Sequence, residues 1–300
     1  MNIVFCCDEK YSPYLAVNIL SILNHHKIMM NFYVLDLGIS SESKECIINI
    51  VDNHRGSSIE FIPINEDDFS EFPQTISHIS KTTYARLKIA DYVKNVDKVI
   101  YLDIDLLIAG SIIDLWNINL DKYHIAACFD SFVEYGLDNY KAKIGFDESN
   151  SYFNAGVLLI DLNKLKNFDL YTKAIVCIKE YPYIEFQDQD ILNIIFKNKV
   201  KIINTKYNFQ PYLRYRILKK QQLSDQERPN FPISIFHYCG EDKPWHSKCN
   251  HTKSQLFIKL FNSINNKPQH WLNKVAQNDY RQIFKKLKND FKDRIKFGIY

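Results

Sequence analysis

Two carboxylates interrupt an otherwise apolar run in the middle of the chain. Asp103 and Asp105 lie in KVIYLDIDLLIAG, residues 98–110, whose other residues favour a buried strand. Residues two apart on a strand point to the same side, roughly 6.5 to 7 Å apart along the backbone. A buried, unpaired carboxylate costs several kcal/mol, which a divalent cation would offset. The spacing therefore indicates a metal site, although two aspartates that end a strand and begin a turn would show the same pattern.

The chain has no glycine-rich loop of the kind that holds phosphates. It contains only eight glycines and neither G-x-G-x-x-G nor G-x-x-x-x-G-K-[ST]. A nucleotide would therefore need a metal ion to hold its phosphates.

A second cluster, HYCGEDKPWHSKCNH, spans residues 237–251 and contains three histidines and two cysteines. One interpretation is a zinc site, although the spacing fits none of the usual paired arrangements. Its candidate ligands are His237, Cys239, His246, Cys249 and His251. In the other interpretation one histidine completes the metal shell, while Lys243 meets a diphosphate as a point charge.

Composition narrows the class of protein. A chain of 300 residues with 46% apolar content fits one large domain or two small ones. The net charge of +3 argues against general nucleic-acid binding. Seven cysteines without C-x-x-C, in a chain with no secretory signal, indicate reduced thiols and a cytoplasmic location. No stretch approaches the roughly 18 apolar residues of a spanning helix.

Strand-like and helical patterns alternate along the chain, and this predicts an α/β fold with a mostly parallel sheet. Strands are expected at 2–7, 31–36, 58–63, 98–103, 124–129 and 153–161. Helices are expected after Ser12, as cap, and Pro13, and over 40–54, 82–93, 163–181 and 188–196. Such sheets bind ligands at the carboxyl ends of their strands, where Asp103 lies.

After about residue 265 the chain becomes basic and aromatic. Apolar residues at helical spacing are Tyr280, Ile283, Phe284, Leu287, Phe291 and Ile295. Around them lie Arg281, Lys285, Lys286, Lys288, Lys292, Arg294 and Lys296. A basic amphipathic helix suits an anionic membrane surface, and the alternative is a helix packed on the catalytic domain. We therefore predict a catalytic domain over 1–265 and a membrane-association tail over 266–300.

Six motifs, taken in order, resemble glycosyltransferase family 8. They are MNIVFCCDEKY, HISKTTYARLK, DKVIYLDIDLLI, YFNAGVLLIDL, FQDQDILN and HYCGEDKPWH, and they cover nearly the whole chain. The resemblance implies a GT-A fold, with a Rossmann-like, mixed but mostly parallel central sheet and a C-terminal helical tail. It also implies retaining transfer of a hexose from a uridine diphosphate (UDP) sugar, with Mn²⁺ or Mg²⁺ as cofactor. The implied acceptor is a saccharide of lipooligosaccharide or lipopolysaccharide, on the inner face of the bacterial cytoplasmic membrane.

The resemblance also assigns roles to individual residues. Asp103, Asp105 and His237 match the metal ligands. Positions that match the donor site are Cys7, Asp8, Tyr11, Arg86, Ile104, Asn154, Ala155, Gly156, Asp188, Gln189, Gly240 and Lys243. Candidates for catalysis are Gln189, Asp188, Asp190 and Arg86. The expected acceptor site contains His78, Asp130, Gln187, Pro211 and Cys239, with Phe186 at its border.

Retention of configuration leaves two mechanisms open. Retaining glycosidases place a carboxylate nucleophile about 5 Å from the acid, whereas the amide of Gln189 is a weak nucleophile. We favour front-face attack within an ion pair, with the departing phosphate taking the acceptor proton, over covalent catalysis by Gln189 or Asp190. Galactose is the expected sugar and glucose the alternative. A rival from another class is a zinc-organised, membrane-docking interaction protein built on residues 237–251.

Overall fold

A mixed seven-stranded sheet forms the centre of the computed structural model, which describes residues 1–73, 81–275 and 280–297. The strands are β1 (Asn2–Asp8), β2 (Asn31–Leu37), β3 (Ser58–Pro63), β4 (Lys98–Leu102), β5 (Leu106–Ile108), β6 (Ile125–Phe129), β7 (Phe153–Asp161), β8 (Val200–Ile203) and β9 (Ile235–His237). The sheet order is β3-β2-β1-β4-β7-β6-β8, and β5 pairs with β9 in a separate antiparallel ribbon. The predicted α/β class with a mixed, mostly parallel sheet is confirmed.

Helices cover both faces of the sheet. They are α1 (Ser12–His25), α2 (Ser41–Asp52), α3 (Ile89–Tyr92), α4 (Ile113–Trp116), α5 (Ser131–Gly136), α6 (Tyr140–Lys143), α7 (Leu162–Lys166), α8 (Leu170–Glu180), α9 (Gln187–Ile195), α10 (Pro211–Leu218), α11 (Ser254–Ser263) and α12 (Tyr280–Phe297). Short 3₁₀ segments lie at Glu9–Tyr11, Glu66–Phe69, Lys81–Lys88, Thr205–Tyr207 and Gln269–Trp271. Consecutive strand residues face different cores: Ile3 and Phe5 belong to one buried cluster and Val4 to the other. Burial on both faces explains the continuous apolar runs of these strands.

The reversed direction of β7 brings distant motifs to one edge of the sheet. β1 runs parallel to β4, whereas β7 is antiparallel to both β4 and β6. The carboxyl ends of β1, β4 and β6 therefore meet the amino end of β7. Asp8, Asp103, Asp130 and Asn154 all lie at this edge.

The prediction that Ser12 caps the first helix was wrong. The carboxylate of Asp8 accepts a hydrogen bond from the Tyr11 amide at 3.0 Å and caps the 3₁₀ turn that leads into α1. Ser12 is the first residue of α1, and its hydroxyl donates to the Glu9 carbonyl instead. One carboxylate therefore begins the helix and also lies at the sheet edge.

Two further helices differ from the predictions. The segment expected as one helix over 82–93 is a 3₁₀ helix, Lys81–Lys88, followed by α3. In a 3₁₀ helix, residues three apart eclipse one another, so Thr83 and Arg86 share a face. The helix expected over 163–181 is divided into α7 and α8, because Asp169 takes a left-handed conformation (φ 48°) and caps α8 through the Thr172 amide.

The first part of the predicted tail packs into the core. The Trp271 side chain is completely buried, and its indole N–H donates to the Ser43 hydroxyl. The hydroxyl of Tyr14 donates to the Lys274 carbonyl. Trp271 and Lys274 therefore contact the main body of the fold, although the sequence placed them in the tail. Within the described ranges, no helix is both long and apolar enough to cross a bilayer.

The last helix, α12, is attached through polar side chains. The buried Asp293 carboxylate pairs with Arg214 of α10 at 2.8 Å and accepts a hydrogen bond from Thr252 at 2.6 Å. Lys286 is also buried, although its position in the sequence suggested a solvated charge, and its ammonium lies 3.4 Å from the His246 carbonyl. Asp293 and Lys286 thus contribute polar contacts between α12 and the protein.

We predict that Asp293→Ala loosens α12. The substitution leaves Arg214 without its partner, and removing one member of a buried pair costs about 3 kcal/mol. We expect a lower urea midpoint and rapid proteolysis between α11 and α12. Asp225→Asn is the control, because it removes a fully exposed carboxylate that lies 3.9 Å from Arg228. Equal protease resistance of both variants would contradict this attachment.

Candidate active site

A cleft of about 630 Å³ opens at the sheet edge where the motifs meet. Most of the residues predicted for a site line it. They are Cys7, Asp8, Tyr11, Arg86, Asp103, Ile104, Asp105, Asp130, Asn154, Ala155, Asp188, Gln189, Pro211, His237, Cys239, Gly240 and Lys243. Phe186, predicted at the acceptor border, lines it as well.

Three predicted residues do not line the cleft. Gly156 lies beneath the cleft against His237 and Asp103 rather than on its surface. Asp190 and Gln187 are buried and do not line the cleft. His78 lies outside the described residues.

Asp103, Asp105 and His237 form a group able to bind a metal ion. One ligand atom from each lies within 4.8 Å of the others. The Nε2 atom of His237 is 3.2 Å from Asp105 Oδ1 and 3.9 Å from Asp103 Oδ2. In the part of the chain that the structure describes, no other group of three such ligands converges. The zinc arrangement considered for residues 237–251 therefore does not form.

Gly156 leaves the space that allows His237 and Asp103 to lie close enough to share a metal ion. A Cβ atom at position 156 would lie 2.3 Å from His237 Cε1 and 2.8 Å from Asp103 Oδ2. Any residue other than glycine would therefore push the ligands apart. Two carboxylates and an imidazole suit Mn²⁺, and Mg²⁺ accepts the same oxygen-rich set.

Asn208 sets the orientation of the His237 ring. Its amide nitrogen donates to Asn154 Oδ1 at 2.8 Å, so its oxygen faces His237 Nδ1 at 2.9 Å. Because an amide oxygen can only accept, Nδ1 carries the hydrogen and Nε2 can offer its lone pair toward Asp103 and Asp105. Asn208 lies in no recognised motif, and only the folded chain reveals it.

Arg86 joins the metal group to the other side of the cleft. Its guanidinium is buried and pairs with Asp103 and Asp188, each at 2.8 Å. It also donates to the Ala155 carbonyl at 2.8 Å and lies over the Tyr101 ring. Since most of its donors are used by the protein, Arg86 chiefly positions these carboxylates.

The pKa of the Asp188 carboxyl is higher than that of an ordinary aspartate. Burial raises the pKa of its carboxyl to about 6, although the Arg86 guanidinium and the Thr83 hydroxyl act against this rise. The Thr83 hydroxyl donates to it at 2.6 Å. Above pH 6 the carboxylate is a strong acceptor at the wall of the cleft.

Lys243 lies against the metal group. Its ammonium contacts Asp105 at 2.5 Å and the Tyr238 carbonyl at 3.0 Å. Burial opposes ionisation of Asp105, but Lys243 and then His237 hold the pKa of that carboxyl far below its usual range. Asp105 therefore stays ionised, and the cleft holds a cation beside it.

Asp130 organises the amide of Gln189. One of its oxygens accepts from Gln189 Nε2 at 3.2 Å and from Asn154 Nδ2 at 3.0 Å. The oxygen of the Gln189 side chain accepts from the Ala155 amide at 3.0 Å. These contacts fix which end of the Gln189 amide points in which direction.

Asp190 is enclosed by donors. Its oxygens accept hydrogen bonds from the hydroxyls of Tyr140 at 2.5 Å and Tyr152 at 2.6 Å. The amides of Glu185 and Phe186 donate to the same carboxylate at 2.8 and 2.7 Å. Burial raises the pKa of Asp190 despite these donors. This carboxylate therefore anchors the loop before α9.

Tyr11 combines packing with exposure to the cleft. Its ring meets Tyr14 and Trp245 edge-on, at centroid distances of 5.8 and 6.1 Å. Trp245 in turn stacks on Tyr14 at 3.6 Å. The helix-start packing considered from the sequence is therefore present, and Tyr11 also lines the cleft.

Sequence reasoning missed several lining residues. They are Cys6, Thr83, Tyr101, Phe132, Val133, Tyr212 and Tyr215. Cys6, Thr83 and Tyr101 lie inside the quoted motifs and could have been found there. Phe132, Tyr212 and Tyr215 lie outside every motif.

Comparisons with known proteins agree on one family. The sequence model of glycosyl transferase family 8 matches residues 2–249. A Haemophilus influenzae protein named as a proposed glycosyltransferase is 42% identical to this chain. The match covers 98% of this chain and 88% of that protein. The lipopolysaccharide 1,3-galactosyltransferase of Salmonella typhimurium is 28% identical over 86% of this chain and 77% of that enzyme. The crystal structure of galactosyltransferase LgtC with donor and acceptor sugar analogues matches with a TM-score of 0.86 and 38% identity, over 92% of this chain and 100% of that one.

We predict that Asn208→Leu weakens metal binding. Loss of the acceptor for Nδ1 frees the His237 ring to rotate and to take the other tautomer, and such supporting contacts are worth about 10- to 100-fold in affinity. Electron paramagnetic resonance titration with Mn²⁺ measures this directly. Asn119→Leu, at an exposed position, is the control. Wild-type affinity in the Asn208 variant would show that the ring is held by other contacts.

Proposed function

Because the chain belongs to glycosyltransferase family 8, we propose that it transfers galactose from UDP-galactose to a saccharide acceptor, with retention of configuration and with Mn²⁺ as cofactor. The observation that carries this proposal is the Asp103, Asp105 and His237 group, which lies in a cleft with no glycine-rich loop. Similarity to a lipopolysaccharide 1,3-galactosyltransferase and to lipopolysaccharide 1,2-glucosyltransferases supports a lipooligosaccharide or lipopolysaccharide acceptor.

The donor would lie along the edge formed by β1 and β4. Asp8 and Tyr11 are available to hold the uracil base, by hydrogen bond and by stacking. Lys243 would leave Asp105 and meet the diphosphate. Bound metal would supply Lewis-acid stabilisation of the charge that develops on the leaving diphosphate.

The sugar would lie between Asp188 and Gln189. Asp188 accepts hydrogen bonds, and Arg86 holds it in place. The glycosidic bond to the phosphate breaks, an acceptor hydroxyl bonds to the anomeric carbon from the same face, and its proton passes to the departing diphosphate. Gln189, held by Asp130 and Ala155, would lie beside the anomeric carbon, where positive charge develops as the glycosidic bond breaks.

Double displacement is the alternative, and the placement of Asp190 disfavours that residue as its nucleophile. Four donors surround its carboxylate, and it has no exposed surface. Attack would require these contacts to break. We therefore favour the front-face reaction.

We predict Mn²⁺-dependent hydrolysis in a screen of nucleotide sugars, with UDP-galactose the best donor and UDP-glucose second. Asp105→Asn should lower this rate at least about 100-fold, because the substitution removes a charged ligand from the group. Asp114→Asn, at an exposed position on α4, is the control. NMR of the transfer product reports its anomeric configuration.

Three results would count against this function. Full turnover by Asp105→Asn in the presence of a chelator would exclude a role for the metal. Preference for a guanosine diphosphate sugar would exclude a uridine diphosphate donor. An inverted product would overturn the front-face reaction. Preference for UDP-glucose would make the enzyme a glucosyltransferase of the same kind.

We also propose that α12 attaches the enzyme to the cytoplasmic surface of an anionic membrane. Its apolar side chains Phe284, Leu287 and Phe291 are 71%, 51% and 63% exposed and share one side of the helix. Exposed basic residues flank them, at Arg281, Lys285, Lys288 and Lys292. Because polar contacts attach the opposite face to the protein, this amphipathic surface is turned outward. Each cation near anionic lipid contributes about 1 kcal/mol.

The triple substitution Phe284→Ser, Leu287→Ser and Phe291→Ser should abolish sedimentation with phosphatidylglycerol vesicles. Wild-type protein should sediment at low salt and less at high salt, because salt screens the basic residues. The control triple variant, Ile48→Ser, Val176→Ser and Tyr183→Ser, removes comparably exposed apolar residues elsewhere. Equal sedimentation of both variants would mean that α12 is not the attachment.

A further inference from the structure

Four aromatic rings form a row at the mouth of the cleft. Phe186 meets Phe132 edge-on at a centroid distance of 6.4 Å, and Phe132 meets Tyr212 at 5.4 Å. Tyr212 then stacks on Tyr215 at 5.8 Å. All four line the cleft, and the exposed rings of Phe132 and Tyr215 bring the row to the protein surface.

Close packing and a hydrogen bond hold the Phe132 and Tyr212 rings in place. A Cβ atom at Gly136 would lie 2.8 Å from the Phe132 ring and 3.0 Å from the Tyr212 ring, so a larger residue would force them apart. The Tyr212 hydroxyl donates to the Tyr135 carbonyl at 3.0 Å and holds its ring in place. Even so, Phe132 and Tyr215 remain 39% and 46% exposed.

Phe132, one ring of the row, is positioned by the same carboxylate that positions Gln189. Asp130 Oδ1 accepts hydrogen bonds from the amides of Phe132 and Val133 at 3.0 and 3.1 Å, which begins α5. Asp130 Oδ2 accepts from the Gln189 amide. The Asp130 carboxylate therefore links the position of Phe132 to that of Gln189.

The remaining two rings come from α10. Pro211 begins this helix, and Tyr212 and Tyr215 follow on one face because they are three residues apart. Leu213 is fully buried on the other side. Both tyrosines thus face the cleft mouth while α10 stays attached to the core.

We propose that Phe132, Tyr212 and Tyr215 bind the sugar residues of the acceptor that lie beyond the residue that receives the hexose. This inference rests on the proposed function and names its acceptor more closely, as an oligosaccharide. A pyranose ring presents apolar C–H groups on its faces and hydroxyls at its edge. Aromatic rings offer a matching apolar face, and tyrosine adds a hydroxyl at its rim. Because the row is continuous with the cleft, a chain of sugars leaving the reacting centre would meet its rings in order.

Saccharide binding as a function of length tests this site. NMR titration of the full-length protein with methyl β-galactoside, lactose and lacto-N-neotetraose compares three ligands that share a terminal galactose. By analogy with bases that stack on aromatic rings, we expect the tetrasaccharide to bind wild-type protein at least about tenfold more tightly than the monosaccharide. In Tyr215→Ala that preference should fall to about twofold, and Tyr215→Phe should restore most of it. Tyr183→Ala removes a 63% exposed tyrosine outside the cleft and should behave as wild type.

Equal binding of all three saccharides by wild-type protein would overturn the proposal, as would an unchanged length preference in Tyr215→Ala. Loss of vesicle sedimentation in Tyr215→Ala, with no change in saccharide binding, would instead assign the row to lipid. The binding titration does not depend on turnover. Failure to hydrolyse any nucleotide sugar would therefore contradict the transfer reaction and leave the length preference to decide the saccharide site by itself.

Discussion

The buried ion pairs of Arg86 hold the candidate active site together. One guanidinium bridges Asp103, at the end of β4, and Asp188, at the start of α9. These two carboxylates would repel each other without the cation between them. A buried arginine with two aspartates costs desolvation energy, which excellent geometry and further hydrogen bonds must offset. Thr83, Ala155 and the Tyr101 ring provide those contacts.

The metal-binding group depends on a second set of contacts behind it. Gly156 leaves room for His237 and Asp103 to approach, and Asn208 directs the imidazole. Asn154 accepts from Asn208 and donates to Asp130, which in turn holds Gln189. A continuous chain of side chains thus joins the metal group to the amide at the other wall of the cleft. Because each amide has a fixed donor end and acceptor end, this chain also determines how every member is oriented.

The proposed saccharide site and the proposed membrane surface lie on neighbouring helices. The aromatic row lies partly on α10, and Arg214 of the same helix pairs with Asp293 of α12. The proposed saccharide site and the proposed membrane surface are therefore carried by two helices in direct contact. An acceptor held at a membrane by its lipid would present its saccharide beside both. The polar contacts of α12 leave Phe284, Leu287 and Phe291 exposed, whereas a helix packed for stability alone would bury them.

The fold class, the family and most residues of the cleft could be predicted from the amino-acid sequence alone. Alternating apolar patterns are local, and the motifs place Asp103, Asp105, His237, Asp188 and Gln189 in segments that end or begin strands and helices. The neighbours that these groups contact follow from the folded chain and could not be predicted. Folding enclosed Asp190, buried Lys286, placed Trp271 in the core and gathered Phe132 and Tyr212 at the cleft mouth. The physical reason is that orientation and burial depend on contacts between residues distant in the chain, such as Asn208 with Asn154, and no local pattern records those contacts.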